Sequence, residues 1–210
     1  MPKFVEKVTA FVTRRAGDET ELLLFEHPYA GIQIPAGTVE EGETPQGAAL
    51  REVSEETGLT FLSMGQSLGS EDTRLPAGQR IIAEATRVYA RPDAASFDWA
   101  YLRKGITVSI NRKADRFSQV TYEECDRVPD SEYVSLRIAG WVPDDVLADT
   151  QRRHFFHLEF QGHSEERWSV LTDNHCFDLF WAPLTALPDI IPPQDKWLEH
   201  LPLPGRGRTR

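Results

Sequence analysis

The chain has 210 residues, enough for one domain with a buried core plus a small module. Its net charge of −10 disfavours nonspecific binding to nucleic acid or to anionic membrane, and its 40% hydrophobic content is ordinary for a globular protein. Two cysteines, Cys125 and Cys176, are too few for a disulfide framework and point to a reducing compartment. No apolar run approaches the roughly 20 residues of a membrane span. Met1 to Lys7 alternates charged and apolar residues without the apolar stretch of a secretory leader, so the expected location is cytoplasmic.

Lys7 to Thr13 reads as a strand, Arg14 to Thr20 with Gly17-Asp18 as a turn, and Glu21 to Glu26 as a second, apolar strand; the pair predicts a hairpin. His27 to Gly31 is a loop. Tyr29 and Phe25 are candidates for stacking on a base, although packing is the expected role of Phe25 among its leucines. His27 reads as an ordinary loop residue. Ile32-Gln33-Ile34 alternates as a short strand that ends at Pro35-Ala36-Gly37.

The next stretch, Gly37 to Leu59, is the most informative in the chain. Thr44 fits an N-cap and Pro45 the first helical position, where a missing N–H costs nothing. Ala48, Ala49, Leu50 and Val53 supply an apolar side, and Gly58 suits a left-handed C-terminal residue. On this helix Glu52, Glu55 and Glu56 stand at i, i+3 and i+4 and share one face. Such carboxylates repel by a few tenths of a kcal/mol per exposed pair and raise one another's pKa when crowded. A hard divalent cation removes that penalty; Mg²⁺ takes oxygen ligands, usually a few carboxylates plus substrate phosphates. Gly37 and Gly42 suit a loop that folds tightly back, Glu43 can reach the helix N-terminus, and Arg51 can fix a carboxylate such as Glu55 one turn on.

A solvated acidic helix face explains a pair such as Glu55-Glu56. It does not explain the whole pattern: seven fixed identities at about one in fifteen each match by chance about once in a million chains of this size. The stretch resembles the Nudix box, Gly-x5-Glu-x7-Arg-Glu-U-x-Glu-Glu-x-Gly-U with U aliphatic, at every position. The resemblance implies an α/β (α+β) fold, a mixed sheet sandwiched between helices. It implies a metal-dependent pyrophosphohydrolase that uses Mg²⁺ or Mn²⁺ and acts on a nucleoside diphosphate linked to another group. Glu52, Glu55 and Glu56 would hold metal together with a backbone carbonyl of Gly37 or Ala36, Glu56 being the first choice of indispensable ligand. Arg51 and Glu43 would orient the carboxylates. The attacking water's base would be a box glutamate or a later acidic residue, with Glu159, Glu166 and Asp173 as candidates. Pro35-Ala36-Gly37, where many members have Pro-Gly-Gly, is similar to the ADP-sugar pyrophosphatase branch.

After the box, Leu59 to Leu68 reads as a strand, Gly69 to Gly78 as a polar loop, and Ile81 to Tyr89 as renewed order. Then come short segments at regular spacing: Ile106 to Ile110, Phe117 to Tyr122, Val134 to Ile138 and Gly140-Trp141-Val142-Pro143. These predict a small all-β module. Arg91-Pro92, Leu102-Arg103-Lys104-Gly105 and Gly140-Trp141-Val142-Pro143 with Leu147 resemble the bacterial SH3-like pattern, which implies an inserted barrel over residues 86–150. Its expected roles are a homodimer contact or a wall of the substrate cleft, and Trp141 reads as core. Arg153 to Phe160, Trp168 to Leu171 and Cys176 to Trp181 read as strands that return to the first domain, residues 1–85 and 151–192. Gln194 to His200 reads as a short helix in a C-terminal segment, 193–210, whose end from Pro202 is a solvated tail. His154 and His157 face opposite sides of their strand, which excludes a shared zinc ion. A nucleotide-binding sensor without catalysis is the alternative function; an RNA-end hydrolase is disfavoured by the negative charge and the lack of a basic stripe.

Overall fold

The structure, a computed structural model, describes residues 3–128, 131–172 and 175–201. In chain order its elements are β1 (Phe4–Ala16), β2 (Glu19–His27), β3 (Gly31–Gln33), β4 (Ala36–Thr38), α1 (Pro45–Thr57), β5 (Leu62–Arg74), β6 (Gln79–Ile82) and β7 (Thr86–Tyr89). There follow β8 (Asp98–Leu102), β9 (Thr107–Ala114), β10 (Phe117–Cys125), β11 (Val134–Pro143), β12 (Leu147–Ala148), β13 (Thr150–Phe160), β14 (Arg167–Thr172), β15 (His175–Pro183) and α2 (Gln194–Trp197). By its contacts the chain divides into two compact units, Val8–Ser70 with His154–Arg210 and Met1–Lys7 with Glu71–Arg153. The divisions fall at 7/8, 70/71 and 153/154, where the sequence suggested only 85/86 and 150/151.

The unit that contains α1 is built on a sheet ordered β14-β15-β2-β1-β13-β5, with β3 paired to β2 and β4 to β1. β2 explains why this sheet has two covered faces. Its run Leu22 to Phe25 is buried throughout, and successive side chains of a strand point to opposite faces. Leu23 and Phe25 join an apolar cluster with Val8, Ala10 and Val12 of β1, Phe177 and Leu179 of β15, and Ala48, Ala49 and Val53 of α1. Leu22 and Leu24 join a second cluster with Phe11, Phe155, Phe180, Ile190 and Leu201. Thus α1 covers one face and the C-terminal segment the other. That segment is pinned by Ile191 N–H on Ile32 O at 3.1 Å and by Ile34 N–H on the buried Gln194 Oε1 at 2.6 Å.

The sandwich is thin in helix. Among the described residues α1 has 13 residues and α2 four, followed by a 3₁₀ turn at Leu198–His200, where the sequence suggested one helix from Gln194 to His200. The expected loop from Gly69 to Gly78 is also corrected: β5 runs on to Arg74, and the turn is confined to Leu75 to Gly78, where Gly78 has φ +83° and Gln79 N–H donates to Pro76 O at 3.0 Å. The missed stretch has exposed side chains, so it carries no apolar alternation. Ion pairs rather than burial accompany it: Asp72 takes a two-pronged contact from Arg152 at 2.6 and 2.8 Å, and Arg74 meets Asp149 at 3.2 Å.

The other unit holds a seven-stranded sheet ordered β12-β6-β9-β10-β11-β7-β8. Ile82, Val88, Leu102, Val108, Val120 and Val142 form its core. Trp141 is buried at 5% exposure beneath the Arg112 guanidinium, as its expected core role requires. β8 escaped the sequence pattern because Phe97, Trp99 and Tyr101 are exposed aromatics, with only Leu102 of the strand fully buried. Cys125 and Cys176 are free thiols. Among the described residues no helix is long and apolar enough to cross a membrane.

Removing apolar volume beneath α1 should be felt by the whole sheet. Leu23→Ala, at a fully buried position, should cost about 2–5 kcal/mol in urea-denaturation free energy. A loss below about 1 kcal/mol would contradict the packing described for this face.

Candidate active site

The loop and helix from Gly37 to Gly58 close on themselves through caps and one arginine. Thr44 has extended backbone and its Oγ1 accepts from Gly47 N–H at 3.1 Å, while Pro45 occupies the first turn. Gly58 ends α1 in the left-handed region at φ +73°, and its N–H donates to Ser54 O at 2.9 Å. The last turn is fastened from outside: Trp168 Nε1–H donates to Thr57 O at 2.8 Å, and the buried Thr57 hydroxyl donates to Val53 O. Because Ala48, Ala49, Val53 and Thr57 face the sheet, Glu52, Glu55 and Glu56 are left toward the loop and solvent.

Arg51 gathers this loop. Its Nε and Nη2 donate to the two oxygens of Glu43 at 3.0 Å each, a fork-to-fork pair. Its Nη1 lies 3.0 Å from both Glu52 Oε1 and Glu55 Oε2, and Nη2 also donates to Thr38 O at 3.1 Å. These carboxylates raise the Arg51 pKa, the Glu43 hydrogen bond contributing most, so the charge is permanent. Hydrogen bonds to charged groups contribute about 1.5–3 kcal/mol each when shielded; Glu55, more than half exposed, earns less of that than Glu43. Glu43 Oε2 also accepts from Glu40 N–H at 3.1 Å.

Glu52 is more enclosed than Glu55, its side chain 15% exposed against 56%, and burial pushes its pKa up despite Arg51 and the Thr38 N–H at 3.1 Å. It packs directly on Gly37: a Cβ there would sit 1.9 Å from the Glu52 carboxylate. Glu56 turns the same way, accepting from Ala36 N–H at 3.2 Å. The structure therefore brings Glu43, Arg51, Glu52, Glu55, Glu56, Ala36 and Gly37 into one neighbourhood. Their donors are carboxylate and backbone oxygens, which fit Mg²⁺ or Mn²⁺ in kind. Among the described residues no three His, Cys, Asp or Glu side chains converge in a metal-binding group, since these carboxylates are turned to Arg51 and to backbone N–H groups.

The later acidic candidates lie elsewhere in this unit. Glu159 follows Phe155 and His157 on the side of β13 away from α1, and Glu166 Oε2 accepts from Arg14 Nη2 at 2.6 Å. Both line a cleft of about 900 Å³ with Thr13, His157 and Ser164. His157 Nε2 is 2.8 Å from Thr13 Oγ1, and burial lowers its pKa. His154 stacks instead beside Phe156, so the two histidines do face opposite ways. Asp173 lies outside the described residues. Phe25 is 3% exposed and stacked on Phe177 at 4.7 Å, which makes it a packing residue. Tyr29 is exposed and meets His27 and His175; the partnership with His175 was invisible in sequence because strand pairing across the sheet creates it.

Residues 3–97 match the family model described as NUDIX domain. The 8-oxo-dGTP diphosphatase of Escherichia coli strain K12 is 42% identical over 50 residues, which is 24% of this chain and 33% of that protein. A Caenorhabditis elegans relative with a nudix hydrolase name is 45% identical over 55 residues, 24% of this chain and 15% of that protein. The chain thus spans a third or less of the length of these curated relatives. Among solved structures, the NUDIX domain of Shewanella oneidensis NrtR complexed with ADP ribose aligns over 95% of this chain and 87% of its own, at 12% identity and a TM-score of 0.45. A C. elegans Ap4A hydrolase binary complex aligns over 86% of this chain and 81% of its own, at 13% identity and a TM-score of 0.42.

The Gly37–Glu52 contact ties site geometry to a measurable change. In Gly37→Ala the added Cβ displaces the Glu52 carboxylate from Arg51 and the Thr38 N–H, so stability should fall by about 1–3 kcal/mol with the fold retained. Divalent-cation affinity, read by calorimetry with Mn²⁺, should fall about tenfold or more. Unchanged affinity would remove Glu52's position from the account.

Proposed function

We propose that the chain hydrolyses a diphosphate bond in a nucleotide-type substrate with the help of Mg²⁺ or Mn²⁺. The observation that carries this is the Arg51 hub: one guanidinium holds Glu43, Glu52 and Glu55 together, and Gly37 leaves room for the Glu52 carboxylate. A solvated acidic face needs neither the shared arginine nor the glycine contact. Glu52, Glu55 and Glu56, with the carbonyl of Ala36 or Gly37, are the groups that would hold the ion. When bound, the ion would neutralise charge on the diphosphate and acidify a water.

The remaining work belongs to the chain itself. Arg51 and Glu43 position the helix carboxylates and close the loop on α1. A box carboxylate is a better candidate for proton acceptor than Glu159 or Glu166, because Glu166 is engaged by Arg14 and Glu159 lies on the far side of β13. The short match to an 8-oxo-dGTP diphosphatase supports including nucleoside triphosphates among the substrates. The SH3-like module expected over residues 86–150 would take in β7 to β12 of the seven-stranded sheet but not β6, with a role in substrate selection or self-association rather than in the chemistry.

Product analysis tests the proposal. The protein would be incubated with ADP-ribose, UDP-glucose, NADH, diadenosine polyphosphates and nucleoside triphosphates, with Mg²⁺ or Mn²⁺. At least one should be cleaved at a diphosphate bond only when the metal is present, and Glu56→Gln should lower kcat about 10²-fold or more. No cleavage of any member, with tight binding of one, would replace the hydrolase by a nucleotide-binding sensor.

A further inference from the structure

The turn after β2 and the first residue of β15 bring three rings together. His27 lies 4.8 Å from His175 and 6.1 Å from Tyr29, and Tyr29 meets His175 edge-on at 5.7 Å and 87°. Beneath them, Phe177 is 5.1 Å from His27 and stacked on Phe25. Phe25 and Phe177 belong to the apolar cluster that α1 covers, whereas Tyr29 is 56% exposed. The rings therefore form a patch at the rim of that face, with a dry floor and an open upper side.

The polar edge of the patch is also set. Tyr29 N–H donates to His27 Nδ1 at 3.1 Å, so Nδ1 is the acceptor and the ring proton sits on Nε2. Burial, aided by His175, lowers the His27 pKa and favours the neutral imidazole. An aromatic surface with a fixed N–H donor suits a planar heteroaromatic base, which has a π face for stacking and acceptors on its edge. The patch is also tied to the box by the chain. Tyr29 precedes Ala36 by seven residues, a reach of at most about 25 Å, and Ala36 N–H holds Glu56. The connecting β3 and β4 pair with β2 and β1, neighbouring strands of one sheet.

We propose that Tyr29, His175 and His27 form the subsite for the base of a nucleoside-containing substrate, a placement that rests on the hydrolase reading for what happens to the phosphates. Tyr29 stacks on the ring, His175, set perpendicular to Tyr29, meets it edge-on, and His27 Nε2–H donates to its edge.

Calorimetry on the full chain tests this with two kinds of probe, the four common nucleoside 5′-monophosphates and ribose 5-phosphate, which lacks only the base. The best nucleotide should bind about tenfold or more tighter than ribose 5-phosphate. Tyr29→Ala and His175→Ala should each shrink that ratio severalfold without weakening ribose 5-phosphate, and Tyr29→Phe should restore it. Glu56→Gln should keep the ratio while losing turnover, so a failed hydrolase reading is visible separately. Equal affinity for all the probes in the unsubstituted protein would overturn the proposal. So would an unchanged ratio in Tyr29→Ala whose circular dichroism shows it folded.

Discussion

Everything in the candidate site depends on where one guanidinium sits. Arg51 leaves α1 and meets Glu43 in the preceding loop, Glu52 and Glu55 on its own helix, and the carbonyl of Thr38 in β4. A loop of six residues between β4 and α1 has few ways to be fixed by packing, and here charge fixes it instead. Without Arg51, Glu43 and Glu52 would be crowded carboxylates with no cation between them. With it, their oxygens are held facing the loop, and Glu56 is held alongside by Ala36 N–H. The arginine is an organiser, and the carboxylates it organises are among the groups proposed to hold the metal.

The sheet supplies the fixed frame for this arrangement. Burial of alternate residues on both faces holds β1, β2, β13 and β15 between α1 and the C-terminal segment. That two-sided burial sorts the polar residues as well. His27 and His175 emerge above Phe25 and Phe177, at the rim of the face that α1 covers. His157 and Glu159 emerge on the other side of β13 and line the cleft with Thr13 and Glu166. Strand parity thus decides which titratable groups share the box's side of the sheet and which do not.

How much of this was legible in the sequence follows from how local each feature is. The box helix, its Thr44 cap, its Gly58 terminus and the Glu52-Glu55-Glu56 face are set by spacings of three to fourteen residues, and all are present in the structure. The hairpin of β1 and β2 and the strands at Thr150–Phe160 and His175–Pro183 were legible through apolar alternation. The far end of β5 was not, because its side chains are exposed and its partners, Arg152 and Asp149, lie some eighty residues away in the chain. β8 was hidden by exposed aromatics, and the splitting of the last helix by a 3₁₀ turn has no clear sequence mark. Within the site, Arg51 with Glu55 was readable as an i, i+4 pair. The Gly37–Glu52 contact and the ring group with His175 were not, since tertiary approach alone creates them.

The central claim is that Arg51 arranges the carboxylates for a divalent cation, and the most direct measurement is a Mn²⁺ titration of the unsubstituted chain beside Arg51→Lys. Lysine keeps the charge and loses the planar fork that spans Glu43, Glu52 and Thr38. The account predicts Mn²⁺ binding that weakens about tenfold or more in Arg51→Lys, with far-UV circular dichroism showing the helix and sheets retained. Mn²⁺ affinity equal in the two proteins would contradict it, and would reduce the Arg51 hub to a surface ion-pair network.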